Sequence, residues 1–318
     1  MSMPKRIYVA GHTGLIGSAA LRRFGCDEKY EVLTATHREL ELQDAEAVQL
    51  FFDRNSPDYV ILAAGKVGGI LENMTYPADF LSANLAIQLN VLAAARRVGV
   101  KKLLLFASSC MYPRECPQPM SEERLFSGCP EPTSMAYAVS KMAGLQLCLA
   151  YNQQLGGHRF IPVIPNSVYG PNDNFDPEKG HVLSALIRRF HEAKVSDTDK
   201  VVLWGSGNPK REFLHADDLA DVCALLLEAD TSGLPLPLNV GSGCDLSIRD
   251  LAKLVAAVVG FRGVIAWDTT KPDGAPRKLL DSGRLRATGW SARIGLRAGV
   301  FDTYAWYQKN IKAAEAVS

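Results

Sequence analysis

The 318-residue chain has a net charge of +1 at pH 7, with 47% hydrophobic and 22% charged residues. This composition is typical of a soluble globular protein, and the near-neutral charge argues against a general attraction to nucleic acid or to anionic membranes. The length is sufficient for a large core, in one two-lobed unit or in two domains.

The N-terminal sequence and the cysteines bear on location and metal binding. Residues 1–6 lead directly into an apolar segment without the apolar core of a signal peptide, and we identify no apolar run long enough to span a bilayer. The seven cysteines form no Cys-x-x-Cys pair, which argues against a zinc site or a redox motif, and their odd number favours free thiols. We therefore expect a cytoplasmic protein with no metal, no membrane partner and no nucleic-acid partner.

The first predicted strand, Lys5–Ala10, precedes the glycine-rich turn Gly11-His-Thr-Gly14-Leu-Ile-Gly17 and a helix over residues 18–24. Strand, turn and helix in this order place backbone N–H groups and the positive helix end against a pyrophosphate. The alternative is a tight turn without a ligand, but the position after a first strand favours a dinucleotide site.

The second predicted strand, residues 30–36, ends in Thr36-His37-Arg38. An NAD-selective site often has an acidic residue here, so the missing carboxylate and the available Arg38 favour the 2′-phosphate of NADP, although Glu39 follows. Asp44 is predicted to cap the next helix, and a contact with the adenine is a second possibility for it.

Alternation of strand and helix continues with a strand over residues 58–64, a helix over Pro77–Val98 and a strand over residues 102–107. Such alternation predicts an α/β fold with a doubly wound, Rossmann-type parallel sheet, whose ligands lie at the carboxyl ends of the strands. Ser108, Ser109 and Cys110 fall at that end of the fourth strand.

Tyr137 and Lys141 are four residues apart in a helix predicted over residues 135–156, so their side chains project from one face. An ammonium near a phenol favours the ionised phenol, which makes Tyr137 a candidate acid for carbonyl reduction. Ser108 or Ser109 could hold the same carbonyl oxygen. The alternative is an exposed lysine beside a half-buried tyrosine.

The C-terminal half mixes short strands with longer helices and is interpreted as a smaller α/β substrate lobe. We assign residues 1–166 and 212–240 to the dinucleotide-binding domain, and residues 167–211 and 241–318 to the second lobe. Asp217 is predicted to cap a helix, and His191 is predicted to face solvent.

Gly11-x-x-Gly-x-x-Gly17, Ser108 and Tyr137-x-x-x-Lys141 together resemble the extended short-chain dehydrogenase/reductase superfamily. From about residue 6 to residue 310 the chain also resembles the GDP-L-fucose synthase family, through these segments: Ala63-Ala-Gly-Lys-Val-Gly-Gly69, Asn73-Met-Thr-Tyr-Pro-Ala-Asp79, Ser108-Ser-Cys-Met-Tyr-Pro113, Gly170-Pro-Asn-Asp-Asn-Phe175, Trp204-Gly-Ser-Gly, Arg211-Glu-Phe-Leu-His215 and Lys271-Pro-Asp-Gly-Ala-Pro-Arg-Lys278.

The resemblance implies 3,5-epimerisation of GDP-4-keto-6-deoxy-D-mannose followed by reduction at C4 with NADPH. It assigns the reduction to Ser108, Tyr137 and Lys141, and the epimerisation to Cys110 and His181. The C4 ketone acidifies the protons on both neighbouring carbons, and a thiolate is a suitable base because its pKa lies near neutrality. The order in which the thiol and the imidazole act stays open.

The resemblance also implies two sets of contacts. Those with NADP(H) are Gly11, Thr13, Gly14, Leu15, Ile16, Gly17, His37, Arg38, Ala63, Ala64, Lys141, Pro165, Asn166, Val168 and His181. Those with the sugar nucleotide are Ser109, Asn166, Arg189, Trp204, Arg211 and Lys278. Thr13 and His37 stand where family members commonly carry arginine, so Arg38 is the cation expected at the 2′-phosphate.

Three further expectations concern alternatives and assembly. The same residues would serve another GDP-4-keto sugar, such as a heptose or a 3,6-dideoxy sugar, and a non-catalytic nucleotide-sensing protein could share the fold. A 4,6-dehydratase is disfavoured, because Cys110 and Met111 follow the serine where an acidic pair is usual. Apolar residues on two faces of the helices over residues 77–98 and 135–156 predict a homodimer.

Overall fold

The computed structural model describes residues 3–177 and 180–315, with twelve strands and ten helices. The strands are β1 (Lys5–Ala10), β2 (Tyr30–Leu33), β3 (Tyr59–Leu62), β4 (Lys102–Phe106), β5 (Phe160–Pro165), β6 (Ser167–Tyr169), β7 (Lys200–Trp204), β8 (Lys210–His215), β9 (Leu238–Val240), β10 (Asp245–Ser247), β11 (Val264–Asp268) and β12 (Arg277–Lys278). The helices are α1 (Leu15–Gly25), α2 (Ala45–Asn55), α3 (Ile70–Thr75), α4 (Pro77–Val98), α5 (Met135–Leu155), α6 (Val182–Val195), α7 (Ala216–Glu228), α8 (Ile248–Val259), α9 (Gly283–Arg286) and α10 (Leu296–Glu315).

The main sheet has six strands in the order β2-β1-β3-β4-β5-β9, and all neighbouring pairs are parallel. Apolar clusters cover both of its faces, one including Phe24 of α1 and Leu219 of α7, the other Phe52 of α2 and Leu92 of α4. The predicted doubly wound Rossmann-type sheet is confirmed. The strand order reverses at β1, so the crevice for a ligand opens at the carboxyl ends of β1 and β3.

The start of α2 agrees with the prediction, whereas the end of β2 does not. Asp44 caps α2, because its Oδ1 accepts hydrogen bonds from the backbone N–H groups of Glu46 and Ala47, both at 3.0 Å. The second strand is three residues shorter than predicted. Thr36 donates its N–H to Glu39 Oε2 at 2.7 Å, and this turn replaces further pairing with the sheet.

The second lobe has its own sheets and its own core. Strand β8 lies between β10 and β12 and also pairs with β6, while β7 and β11 form a separate pair. Helices α6, α8 and α10 contribute Ile187, Phe190, Val255 and Tyr304 to the cluster beneath these strands. Strands β6, β8, β10, β11 and β12 were not predicted: β6, β10 and β12 have only two or three residues each, and β8 begins with three charged residues.

Two side-chain predictions were wrong. The Nδ1 of His215, not Asp217, caps α7 by accepting the N–H of Asp217 at 3.2 Å, and the Asp217 carboxylate pairs instead with Arg22 at 2.5 Å. His191 does not simply face solvent, since its Nδ1 lies 3.0 Å from the hydroxyl of Tyr304. In both cases a partner distant in sequence determines the contact.

Helix α4 corrects the statement that no apolar run could span a bilayer. It has 22 residues, and its most apolar stretch has a mean hydropathy of 1.3, which is long and apolar enough by composition. However, Phe80, Val91 and Leu92 are buried, and the helix packs against α2 and α5. Only 39% of that stretch is buried, so the core covers one face of α4 and leaves apolar residues such as Leu89 exposed on another.

Candidate active site

The glycine-rich turn after β1 forms a surface onto which a dinucleotide fits. Gly11 has φ +82°, a conformation that side chains disfavour, and a Cβ at Gly17 would collide with the carbonyl oxygen of Gly11. Gly14 precedes α1 and leaves the first N–H groups of this helix without a side-chain cap. A phosphate can therefore approach the backbone closely at the positive end of α1.

A cavity of about 440 Å³ extends from this turn along the carboxyl ends of β1, β2 and β3. Its lining includes Gly11, Thr13, His37, Ala64 and Lys66. The cavity has the place and the lining that the adenosine half of a dinucleotide requires in such a sheet.

The basic residues near the outer end of the cavity have different surroundings. His37 lines the cavity and pairs with Glu41 at 3.3 Å, and Lys66 pairs with Asp79 at 3.5 Å. Arg38 is exposed next to the lining residue His37 and is not itself part of the lining. Arg38 is thus adjacent in sequence to a residue of the cavity, but its guanidinium does not line the cavity.

The other predicted cofactor residues share one edge of the sheet. They are Leu15 and Ile16 in the first turn of α1, Ala63 and Ala64 directly after β3, Pro165 at the end of β5, Asn166 after it and Val168 in β6. Strands β3 and β5 flank β4 on either side and run parallel to it, so their carboxyl ends lie at the same edge of the sheet as Ser108.

Ser108, Cys110, Tyr137 and Lys141 come together beyond the end of β4. The Ser108 hydroxyl accepts the N–H of Cys110 at 3.2 Å and begins a short 3₁₀ turn over Ser109–Met111. The Lys141 Nζ donates to the carbonyl of Phe106 at 3.0 Å and lies 5.7 Å from the ring centre of Tyr137. A Cβ at Gly65 would lie 3.5 Å from this Nζ, so the lysine lies next to a glycine that lines the dinucleotide cavity.

Burial dominates the ionisation of the tyrosine and the lysine. It raises the pKa of Tyr137, and the nearby Cys110 raises it further, while a hydrogen bond with Ser108 acts in the opposite direction. Burial lowers the pKa of Lys141 to about 8. The expected ionised phenol is therefore not found: Tyr137 keeps its proton at neutral pH, which is the state required of a proton donor.

A buried hydrogen-bond chain runs from the same turn into the second lobe. Ser109 Oγ donates to Asn166 Oδ1 at 3.2 Å, and Asn166 Nδ2 donates to Glu212 Oε2 at 2.8 Å. Glu212 is fully buried and also accepts the N–H groups of Gly243 at 2.7 Å and Leu280 at 3.0 Å. Sequence reasoning overlooked Glu212, although an acidic residue beside the buried pair Phe213-Leu214 was a signal.

Arg211 and Lys278 are neighbours in the paired strands β8 and β12. The Arg211 guanidinium donates to the carbonyls of Lys210 and Ala275, both at 2.7 Å, and burial lowers its pKa. Two partly exposed cations side by side suit a diphosphate.

Trp204 and Arg189 occupy separate places around this region. Trp204 is 67% exposed at the end of β7, with the Lys271 Nζ 5.5 Å from its ring centre. Arg189 lies on α6 and donates to the carbonyl of Pro177 at 3.1 Å. Trp204 is thus an exposed ring with a cation beside it, whereas the guanidinium of Arg189 is held by a backbone carbonyl.

His181 immediately precedes α6, and its Nδ1 lies 3.7 Å from the carboxylate of Asp173. The Asp173 carboxylate raises the pKa of His181. Asp173 was not singled out from the sequence, although it lies within the segment Gly170-Pro-Asn-Asp that carried the resemblance.

The chain was compared with known families and proteins. Residues 7–241 match the family described as the NAD dependent epimerase/dehydratase family. The chain is 52% identical to GDP-L-fucose synthase 1 of Arabidopsis thaliana over 306 residues, which cover 96% of this chain and 94% of that protein. It is 46% identical to GDP-L-fucose synthase of Escherichia coli (strain K12) over 313 residues, covering 96% and 97% of the two chains.

A solved structure has the same fold over nearly its whole length. It is a GDP-D-glycero-L-gluco-heptose synthase from Campylobacter jejuni, crystallised in the presence of NADPH. The TM-score is 0.90 at 33% identity, and the match covers 97% of this chain and 99% of that one.

Proposed function

The chain belongs to the NAD dependent epimerase/dehydratase family, and on this basis we propose that it is a GDP-L-fucose synthase. The reaction is 3,5-epimerisation of GDP-4-keto-6-deoxy-D-mannose followed by NADPH-dependent reduction at C4. The observation that carries the proposal is the grouping of Ser108, Cys110, Tyr137 and Lys141 at the border of the dinucleotide cavity.

The chain's own residues make the reduction possible by stabilising charge on the C4 oxygen. Ser108 donates a hydrogen bond to this oxygen, and Tyr137 transfers its phenolic proton to it as the alkoxide forms. Lys141 stabilises the resulting phenolate and holds the cofactor side of the site. NADPH, when bound, supplies the hydride.

The epimerisation depends on the same hydrogen bonds to the C4 oxygen. Negative charge also develops on this oxygen when a proton leaves C3 or C5, so Ser108 and Tyr137 serve both reactions. Cys110 takes the proton from one face of the sugar ring, and His181 returns a proton to the other face. The Asp173 carboxylate favours the protonated imidazole that this return requires.

The cofactor is NADP(H), which is consistent with the NADPH named for the Campylobacter jejuni protein. The glycine-rich turn and the first turn of α1 bind its pyrophosphate, the residues after β3 and β5 lie along its length, and Arg38 turns toward the 2′-phosphate. The diphosphate of the sugar nucleotide contacts Arg211 and Lys278, while Asn166 and Ser109 border the sugar. Arg189 and Trp204 contact the nucleotide part of the same substrate.

The proposal also covers the domain boundaries, the homodimer and the cellular location. Residues 1–166 and 212–240 form the NADP-binding domain, and residues 167–211 and 241–318 form the substrate domain, with strand β8 (Lys210–His215) crossing the boundary between them. Exposed Leu89 on α4 and exposed Val139 on α5 contribute to a homodimer interface. Location in the cytoplasm suits a protein in which all seven cysteines are free.

Turnover in deuterated water tests the proposed reaction. The purified protein is mixed with GDP-4-keto-6-deoxy-D-mannose and unlabelled NADPH, and the GDP-sugar product is analysed for deuterium. We expect NADPH oxidation together with deuterium at both C3 and C5. Oxidation without labelling would indicate a simple reductase, and oxidation only with a GDP-4-keto-heptose would indicate a different sugar specificity.

A further inference from the structure

A buried carboxylate lies directly behind the proposed proton donor of the epimerisation. The side chain of His181 is 56% exposed, whereas that of Asp173 is only 3% exposed. The His181 Nδ1 is 3.7 Å from the Asp173 Oδ1, which is within ion-pair distance. The imidazole therefore has one nitrogen against a buried anion while the ring itself stays accessible.

The position of this carboxylate does not depend on the histidine. Asp173 Oδ1 also accepts the N–H of Asn174 at 2.8 Å, and Oδ2 accepts the hydroxyl of Ser184. Ser184 is fully buried in the first turn of α6, and His181 is the residue that precedes this helix. Asp173 is thus fixed both to its own loop and to the start of α6.

The ring of His181 has no capping role that would explain its orientation. The side chain of His181 makes no capping hydrogen bond to α6, although the residue stands at the capping position. The carboxylate attracts the positively charged ring on its Nδ1 side and leaves Nε2 as the nitrogen on the far side, available to exchange a proton with a ligand. An anion fixed in this way favours the protonated ring and one direction of it.

We propose that Asp173 is a positioning residue for the epimerisation, because it holds the His181 ring so that Nε2 faces the sugar carbons. This inference rests on the proposed function and adds that Asp173 serves the epimerisation but not the reduction. Asp173 acts through His181 alone. The reduction uses Ser108, Tyr137 and Lys141, whereas the contacts of the Asp173 carboxylate within residues 3–177 and 180–315 are with Asn174, Ser184 and His181.

The test compares the two half-reactions in Asp173→Asn. Epimerisation is measured in deuterated water without NADPH, as the rate at which labelled, inverted C3 and C5 centres form, with borohydride used to stop the reaction. The hydride step is measured separately, as the first turnover of NADP⁺ reduction by GDP-L-fucose, whose C3 and C5 are already inverted. We expect epimerisation to fall at least about tenfold at unchanged KM, and the hydride step to stay within about threefold.

Asp218→Asn is the matched control. Asp218 is also a buried carboxylate, and it accepts the N–H groups of Arg293 at 3.1 Å and Ile294 at 3.0 Å. It should lower thermal stability without changing the ratio of the two rates. If Asp173→Asn slows both half-reactions equally, or slows neither, the positioning role is refuted. If the unaltered protein forms no labelled epimers and reduces no NADP⁺, the proposed function itself fails.

A measurement on the unaltered protein covers the case in which Asp173→Asn does not fold. The ring proton signals of His181 are assigned by their loss in His181→Gln and followed by NMR against pH. With Asp173 as partner, His181 titrates above the value of about 6.5 that is usual for histidine. Titration at or below that value would overturn the pairing.

Discussion

Replacing Glu212 with glutamine keeps the size of a fully buried side chain but removes one hydrogen-bond acceptor. Glu212 Oε1 accepts the N–H of Gly243, and Oε2 accepts both Asn166 Nδ2 and the N–H of Leu280. The amide group of a glutamine would direct its NH₂ at one or two of these donors. At least one buried donor then loses its acceptor, and the remaining bonds lose the charge that strengthens them.

The size of the effect follows from these contacts. One unsatisfied buried donor costs about 1–3 kcal/mol, and we expect about 2–4 kcal/mol in total for Glu212→Gln. For 318 residues the entropy of unfolding is about 0.7 kcal/mol per kelvin, so the melting temperature should fall by about 3–6 °C. Because Asn166 loses its partner, the KM for the GDP-sugar should rise as well.

Differential scanning calorimetry and steady-state kinetics measure both effects. The control is Glu31→Gln, which breaks an ion pair of 3.1 Å with Arg6 in which both side chains are about half exposed. An exposed pair contributes less than about 1 kcal/mol, so this variant should melt within about 1.5 °C of the unaltered protein. If Glu212→Gln melts as close to the unaltered protein as the control does, the reasoning about the buried acceptor is wrong.

Three further predictions concern the reduction and its cofactor. Tyr137→Phe should lower the rate of NADPH oxidation by about 10²–10⁴-fold without changing the Kd of NADPH measured by fluorescence, and an equal loss of cofactor binding would contradict its role as the acid. Burial lowers the pKa of Lys141 to about 8, so kcat/KM for reduction should fall as the pH rises through about 8. Lys141→Arg should not show this fall, because arginine stays charged. The same fall in that variant would mean that another group causes the pH dependence. Arg38→Ala should raise the KM for NADPH about tenfold and leave that for NADH unchanged, whereas an unaltered KM for NADPH would place the 2′-phosphate away from Arg38.

Much of the fold was predictable because its signals are local. The alternation of apolar strands and helices, the glycine-rich turn and the Asp44 cap each depend on residues close in sequence, and each is found as predicted. The spacing of Tyr137 and Lys141 is also local, since four residues bring two side chains onto one helix face. These features required no knowledge of how distant segments meet.

The rest depends on contacts between distant segments. Asn166 and Glu212 are 46 residues apart in sequence, and the pairing of Arg211 with Lys278 requires the register of β8 against β12. The pKa of Tyr137 was misjudged for the same reason, because burial by the rest of the fold determines its direction. Sequence spacing carries no information on burial of this kind.

The separate core beneath β7 and β8 has an evolutionary consequence. Ser108, Tyr137 and Lys141 are anchored on the large sheet, whereas His181, Arg211 and Lys278 are carried by segments that pack on or pair within the smaller lobe. Mutations that reshape the smaller lobe can change which sugar is accepted while the proton-donating tyrosine keeps its surroundings. Related proteins can therefore differ in substrate through the smaller lobe and still share the carbonyl chemistry of the large sheet.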